Sequence, residues 1–254
     1  MIIDPTTRFT HRAENYAKYR PHYPQEIASF LAGEIDLSPD WQIADIGSGT
    51  GLLSEMWLGN GNTVYAVEPN QDMREMAERL LGAHSSFHSI RGTAEATTLP
   101  AGSIDLVSAG SAFHWFDAEK ARTEFQRILK PGGYALLAWN SRKPESSEFA
   151  AAFGEILHEF GANRRPADHR SRREEHIEAF FGSGGHKIAA FENGQSLDWE
   201  GLKGRLLSLS SAPLPGEPNY EPMIEHLRHV FDTYQEDGSV RFDYNTQVYY
   251  GHLL

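Results

Sequence analysis

No cysteine occurs among the 254 residues, which removes disulfides, thiolate metal sites and every mechanism built on a cysteine nucleophile. No apolar run approaches membrane-spanning length, and Met1 to Asn15 is polar and charged, without the apolar core of a signal segment. The expectation is a soluble, cytoplasmic chain that is neither in nor on a membrane. Positive charge is scarce: 23 Lys+Arg stand against 35 Asp+Glu, for a formal net charge of -12. Such a field repels nucleic acid and anionic membrane alike. No internal repeat or low-complexity segment breaks the chain. Its length fits one large domain, residues 1–254, able to bury a substantial core without staples.

What is present centres on Ile43-Ala44-Asp45-Ile46-Gly47-Ser48-Gly49-Thr50-Gly51, an apolar strand running into glycines at alternating positions. A buried parallel strand that turns sharply into a helix, with its amides left free for a ligand, needs residues without a Cβ there. Dinucleotide sites want G-x-G-x-x-G; here the third glycine comes one residue early and Leu52 holds its place. The stretch therefore reads as a small-molecule cradle.

Around it, helical and strand periods alternate. A helix is predicted over 24–37, with Ile27, Phe30, Leu31 and Ile35 inward, preceded by an aromatic, proline-punctuated arm through Tyr16, Tyr19, Arg20, Pro21 and Tyr23 that reads as neither a disordered tail nor a regular helix. Strands are predicted at 63–67, 87–90, 104–107 and 134–139, and helices at 52–57, 70–81 and from the Asp117 cap to Leu129. This alternation demands a parallel sheet covered on both faces, which binds ligands beyond the carboxyl ends of its strands. From Ser141 the pattern breaks: a helix over 148–160 and another from a Ser171-x-x-Glu174 capping box through Phe181 make 141–185 an inserted helical cap. A strand at 187–191, helices around Leu202 to Leu209 and Ile224 to Tyr234, and a final strand from Val240 to Tyr250 interrupted near Asn245 complete the chain.

Glu68 ends the second strand, where it can accept two hydrogen bonds from a ribose diol and would repel a ribose phosphate; the alternative is an ordinary solvated strand-end acid. His84 and His88 have metal-like spacing but no third ligand beside them, so no metal is expected. Arg164, Arg165, Arg170, Arg172 and Arg173 form the dense basic patch of this acidic chain, either a solvated face or a hold for an anionic acceptor above the site.

Four ordered blocks, Asp45-Ile46-Gly47-Ser48-Gly49-Thr50-Gly51, Val67-Glu68-Pro69, Gly92-Thr93-Ala94-Glu95 and Leu129-Lys130-Pro131-Gly132-Gly133, resemble those of the class I S-adenosylmethionine-dependent methyltransferases, over residues 41 to about 140. The resemblance implies a Rossmann-like, doubly wound α/β sheet of seven strands in the order 3-2-1-4-5-7-6, the last antiparallel. It implies S-adenosyl-L-methionine as cofactor, with Gly47, Gly49 and Gly51 near its methionine part, Glu68 on the ribose, Thr93, Ala94 and Glu95 around the adenine, and Gly110 and Ser111 at the methionyl group. The same blocks add Asp45 and Pro69, with Asn70 directly after them, and Met73 lies where the cofactor can touch it.

Arg20-Pro21-x-Tyr23-Pro24 with Ala112-Phe113-His114-Trp115-Phe116-Asp117 is similar to the small-molecule branch that includes trans-aconitate methyltransferase. There residues equivalent to 1–24 fold over the cofactor as a lid, making Tyr16 and Arg20 lid candidates, with Arg20 pairing the cofactor carboxylate or simply packing on the sheet edge. His114 is the candidate general base for a hydroxyl or amine acceptor, or else an imidazole packed on the cofactor; a carboxylate acceptor needs no base. The expected reaction is direct in-line methyl transfer to a small molecule, which can be anionic, at a carboxylate or hydroxyl oxygen, by a monomer or homodimer. Two other readings stand beside it: a non-catalytic cofactor-binding protein and, against the glycine spacing, a nicotinamide-dependent oxidoreductase. The fourth strand ends in Ser108-Ala109-Gly110-Ser111, lacking the Asn/Asp-Pro-Pro-aromatic motif of enzymes that methylate base amino groups, which argues against a nucleic-acid substrate.

Overall fold

The computed structural model describes residues 12–161 and 169–253, and side chains outside 162–173. Seven strands form one sheet in the order β3-β2-β1-β4-β5-β7-β6. Strands β1 (Gln42–Ile46), β2 (Thr63–Val67), β3 (Phe87–Ile90), β4 (Ile104–Gly110) and β5 (Leu129–Arg142) run parallel, and β7 (Val240–Gly251) lies antiparallel between β5 and β6 (Lys187–Leu197). The order matches the expectation, because each βαβ unit crosses over in the sense that returns the next strand to the sheet.

The helices sort by their apolar stripes. Against one face lie α2 (Glu26–Ile35) and α3 (Leu52–Gly59), through Ile27, Leu31, Met56 and Trp57. Against the other lie α5 (Ala118–Ile128) and α7 (His169–Phe181), through Phe125, Ile128, Ile177, Phe180 and Phe181. Local caps fix where helices begin: Asn70 accepts from the Met73 amide to open α4 (Gln71–Leu81), and Asp117 accepts from the Lys120 amide to open α5.

The sheet extends further than the periodicity predicts. Strand β5 runs on to Arg142, and β7 is continuous through Asn245 and Thr246. The break expected near Asn245 is absent because the buried Thr246 beside it finds a partner: its hydroxyl and the Asn193 amide both donate to Asn140 Oδ1. Beyond Arg142 the β6–β7 pair continues alone from Gly194↔Asp243 to Leu197↔Val240.

Its projecting tip is covered by α6 (Glu148–Phe160), α8 (Trp199–Leu207) and α9 (Tyr220–Tyr234), which bury Phe153, Leu202, Leu227, Phe242 and Tyr244 together. The segment 141–185 is thus divided: α6 belongs to this cap, whereas α7 covers the sheet. Ser171 lies inside α7 rather than at its start. Of the basic run, Arg164 and Arg165, and the side chains of Arg170, Arg172 and Arg173, lie outside the described residues.

The arm contains a short helix, α1 (Ala13–Tyr19), where irregular chain was expected. Tertiary contact supplies its stability, since seven residues cannot sustain a helix in water. Ala13 and Tyr16 pack on Met73 and Met76 of α4, while a Cβ on Gly204 of α8 would lie 2.1 Å from the Tyr19 ring. Arg12 fastens this docking by donating to the carbonyls of Leu207, Leu209 and Ala212.

Candidate active site

Two connected cavities open at the carboxyl ends of β1, β2 and β4, sharing Tyr16, Gly47, Gly49, Gly110 and Ser111 in their walls. The larger, of about 260 Å³, lies between the β2–α4 turn, the Thr93-Ala94-Glu95 turn and the short helix Phe113–Trp115. The smaller, of about 50 Å³, lies under the arm and reaches Arg20, Tyr23, Asp45, Asn140 and Arg205.

Gly47 has φ +64° and would bring a Cβ within 2.8 Å of Ala112, so only glycine lets the β1–α3 turn approach this close. Glu68 is buried and held in place: Oε2 accepts from the Gly49 amide at 2.9 Å and Oε1 from the Asn70 amide at 2.8 Å. Burial raises its pKa, against the pull of those donors. Each oxygen retains lone-pair capacity for a further donor. Pro69, Asn70 and Met73 follow Glu68 along the same wall, and Thr93, Ala94 and Glu95 face them across the cavity. Glu95 is anchored by accepting from the Asp117 amide.

Asp45 is fully buried, accepting from Ser54 at 2.6 Å and from Ser108 at 3.3 Å. Burial pushes its carboxyl up to about 7. Ser111, in the left-handed region at φ 55°, ends β4; its hydroxyl lies 3.1 Å from that of Tyr23, and burial raises the Tyr23 pKa. The Arg20 guanidinium stacks 4.7 Å over the Tyr16 ring and donates to the side chain and carbonyl of Ser208.

The structure therefore gathers Tyr16, Arg20, Asp45, Gly47, Gly49, Glu68, Pro69, Asn70, Met73, Thr93, Ala94, Glu95, Gly110 and Ser111 around one connected space. It does not bring Gly51 there. At φ +89°, Gly51 caps α3, and its missing Cβ makes room for Leu81, 2.5 Å from where that atom would stand.

His114 is also outside: it is exposed, while its neighbours Trp115 and Phe116 line the larger cavity. A turn of three residues per revolution sends adjacent side chains in different directions, and Phe113 takes the inward one against Phe180. The sequence reading missed Arg205 and Asn140. Arg205 sits on an amphipathic helix, where a cation signals solvent unless the cap packed over it is known. His88, weighed as a metal ligand, stacks on Tyr65 at 5.0 Å. Among the described residues no group of three or more His, Asp or Glu is arranged to hold a metal ion, and no helix is long and apolar enough to cross a membrane.

The strand order and the cavity beyond the carboxyl ends define a class I methyltransferase fold. Residues 44–137 match the family described as methyltransferase domain. An uncharacterised methyltransferase of Mycobacterium tuberculosis is 34% identical over 142 residues, 56% of this chain and 55% of that protein. One from Schizosaccharomyces pombe is 32% identical over 132 residues, 50% of each. The chain spans about half the length of the curated relatives it matches. A solved structure from Anaeromyxobacter dehalogenans, provisionally described as a type II methyltransferase, aligns with a TM-score of 0.69 at 20% identity, over 93% of this chain and 99% of that one. That likeness is one of fold.

The cavity walls fit S-adenosyl-L-methionine. A buried carboxylate preset by backbone amides suits a diol, close-approach glycines suit a backbone-bound ligand, and the rings of Tyr16, Trp115 and Phe116 suit a cation. The buried hydroxyl of Ser48, in the wall of the smaller cavity, has no hydrogen-bond partner among the described residues and is open to a ligand.

Proposed function

We propose that the chain binds S-adenosyl-L-methionine across the two connected cavities and transfers its methyl group to an oxygen of a small-molecule acceptor by direct in-line displacement. The observation that carries this reading is the Glu68 carboxylate, fixed by the Gly49 and Asn70 amides in a cavity wall beside close-approach glycines. When bound, the cofactor supplies a methyl group on a positively charged sulfur, already an activated leaving group.

The chain's own work is then binding, alignment and exclusion of water. Glu68 accepts from the ribose hydroxyls, and these donors favour its ionised form against the burial that raises its pKa. Gly47, Gly49 and Gly110 let backbone come close. Helix α1, clamped to α4 by Tyr16 and to α8 by Arg12 and Tyr19, covers the space and keeps water out, so that acceptor and methyl carbon are held in line. With His114 exposed and outside the cavity walls, the geometry favours an acceptor oxygen that arrives already ionised, a carboxylate, over a hydroxyl that must lose a proton in the reaction.

Calorimetry with S-adenosylmethionine and S-adenosylhomocysteine tests the binding half. Both should bind, and Glu68→Ala should weaken them by about ten- to a hundredfold through loss of hydrogen bonds to a charged group. If neither ligand binds the wild type, the reading fails. Transfer of labelled methyl across a panel of small acids and alcohols separates an enzyme from a protein that only holds the cofactor.

A further inference from the structure

Three guanidinium groups meet where the arm, the end of β5 and the cap converge, and among the described residues none is ion-paired to a carboxylate. Arg205 is 4% exposed; its Nε donates to the Tyr244 hydroxyl at 3.3 Å, and its Nη1 is buried with no partner. Arg142, whose backbone pairs in register with Tyr244, has its own Nη1 buried and unpartnered, with the guanidinium carbon 5.0 Å over the Phe153 ring. Arg20 uses Nε and one terminal nitrogen on Ser208. Arg20 and Arg205 both face the smaller cavity.

Burial and the neighbouring positive charge lower Arg20 and Arg142 to about 10, so both remain cationic at neutral pH. Buried cations without counterions are tolerated where a ligand supplies the missing charge. The cofactor does not balance this cluster: it brings one carboxylate together with an ammonium and a sulfonium, and so adds net positive charge. Asp45, the acid in the same cavity wall, is occupied by Ser54 and Ser108.

We propose that Arg142 and Arg205, with Arg20 at their edge, form an anchoring site for a carboxylate of the methyl acceptor, which is therefore an organic acid carrying an anionic group besides the atom that is methylated. This rests on the cofactor reading of the cavities above. The planar donor forks of two arginines suit a carboxylate's paired oxygens. An oxygen held that way is a poor nucleophile, so the anchor and the attacking atom are different groups of one molecule.

The test titrates citrate, succinate, inorganic phosphate and the neutral diamide of succinate into protein saturated with S-adenosylhomocysteine, for the wild type, Arg142→Gln and Arg205→Gln. Expected are binding of at least one carboxylate, none of the diamide, and a loss of about tenfold or more in each variant. S-adenosylhomocysteine affinity should stay within about threefold in Arg142→Gln, whose side chain lines neither cavity, and both variants should keep a cooperative thermal transition, which shows that they fold. As a measure independent of the variants, the carboxylate should raise the wild-type melting temperature where the diamide does not. Carboxylate binding unchanged in the variants, or absent from the loaded wild type, overturns the inference. Phosphate bound as tightly as the carboxylates and lost in the same variants overturns the organic-acid assignment. Failure of the wild type to bind S-adenosylhomocysteine strikes the cofactor reading itself, and with it this one.

Discussion

Asp45→Asn should stabilise the ligand-free protein at alkaline pH. The Asp45 carboxyl, fully buried at the end of β1, is raised from 3.8 to about 7, chiefly by burial. A carboxyl whose folded value lies above its unfolded value binds protons more tightly in the folded state, so stability falls as pH rises from near 4 through about 7 and is level above that. At about 1.4 kcal/mol per pH unit, the displacement corresponds to a penalty on the order of 4 kcal/mol at pH 8. The amide keeps shape and volume, and the Ser54 and Ser108 hydroxyls can turn to accept from it, but the charge-assisted bond from Ser54 at 2.6 Å is lost. The value of about 7 already includes the lowering by the Ser54 and Ser108 hydroxyls, so the gain is bounded by the penalty itself, on the order of 4 kcal/mol. Urea unfolding of both proteins across the pH range should show curves that differ by up to this amount at pH 8, with the pH-dependent part of the gap closing towards pH 4. A gap that does not change with pH would refute the argument, because it would mean that the buried carboxyl does not take up a proton on folding. The smaller cavity gives the charge a use: Asp45 faces the space proposed for the methionine end, whose ammonium would favour its ionised form. S-adenosylhomocysteine should accordingly bind the wild type more tightly as pH rises towards about 7, and Asp45→Asn should remove that slope.

Three further variants separate binding from packing. Gly49→Ala meets no atom within 4 Å but holds φ +58°, so it should cost about 1–2 kcal/mol of stability and a larger share of cofactor affinity, whereas Gly51→Ala, facing Leu81 at 2.5 Å with φ +89°, should cost more stability and little direct binding; melting curves paired with calorimetry distinguish them. Gly204→Val drives side-chain atoms into the Tyr19 ring and should release the arm, seen as faster proteolysis near Tyr19 and weaker cofactor binding with little change in the thermal midpoint of the rest. His114→Ala should leave the rate of methyl transfer within about twofold, because that side chain is exposed and lines neither cavity; a loss of about a hundredfold would return it to the chemistry.

What the chain discloses in one dimension divides along a physical line. The succession of strands and helices, the Asp117 cap and the glycine-rich turn rest on local period and local backbone need, and these are written in consecutive residues. Contacts between distant segments are not. Nothing around Gly204 announces that its missing Cβ seats Tyr19, and a helical arginine such as Arg205 looks solvated until α6, α9 and the tip of β7 close over it. The strand reads as interrupted near Asn245 because the partner of the buried Thr246, Asn140, lies across the sheet. His114 and Gly51 fail in the opposite way, as residues of the right type in the right motif whose side-chain direction or packing neighbour removes them from the cavity walls.

The same division runs through the site. Every wall of the larger cavity except the face of Tyr16 comes from within residues 47–116, where sequence blocks and strand ends coincide. The smaller cavity draws on the arm, the Asn140 end of β5 and α8, joined through contacts such as Arg20 to Ser208 and Gln195 to Tyr19. Those pieces meet because β6 and β7 run past the end of β5 and carry α8 and α9 out over the carboxyl edge of the sheet. A change in the length of that strand pair would shift Arg205 and Tyr244 against Arg142 without moving Glu68 or Gly47. Acceptor recognition can therefore vary while cofactor recognition stays fixed, and for this chain the residues to compare with other acceptor chambers are those at the tip of the β6–β7 pair and on the helix it supports.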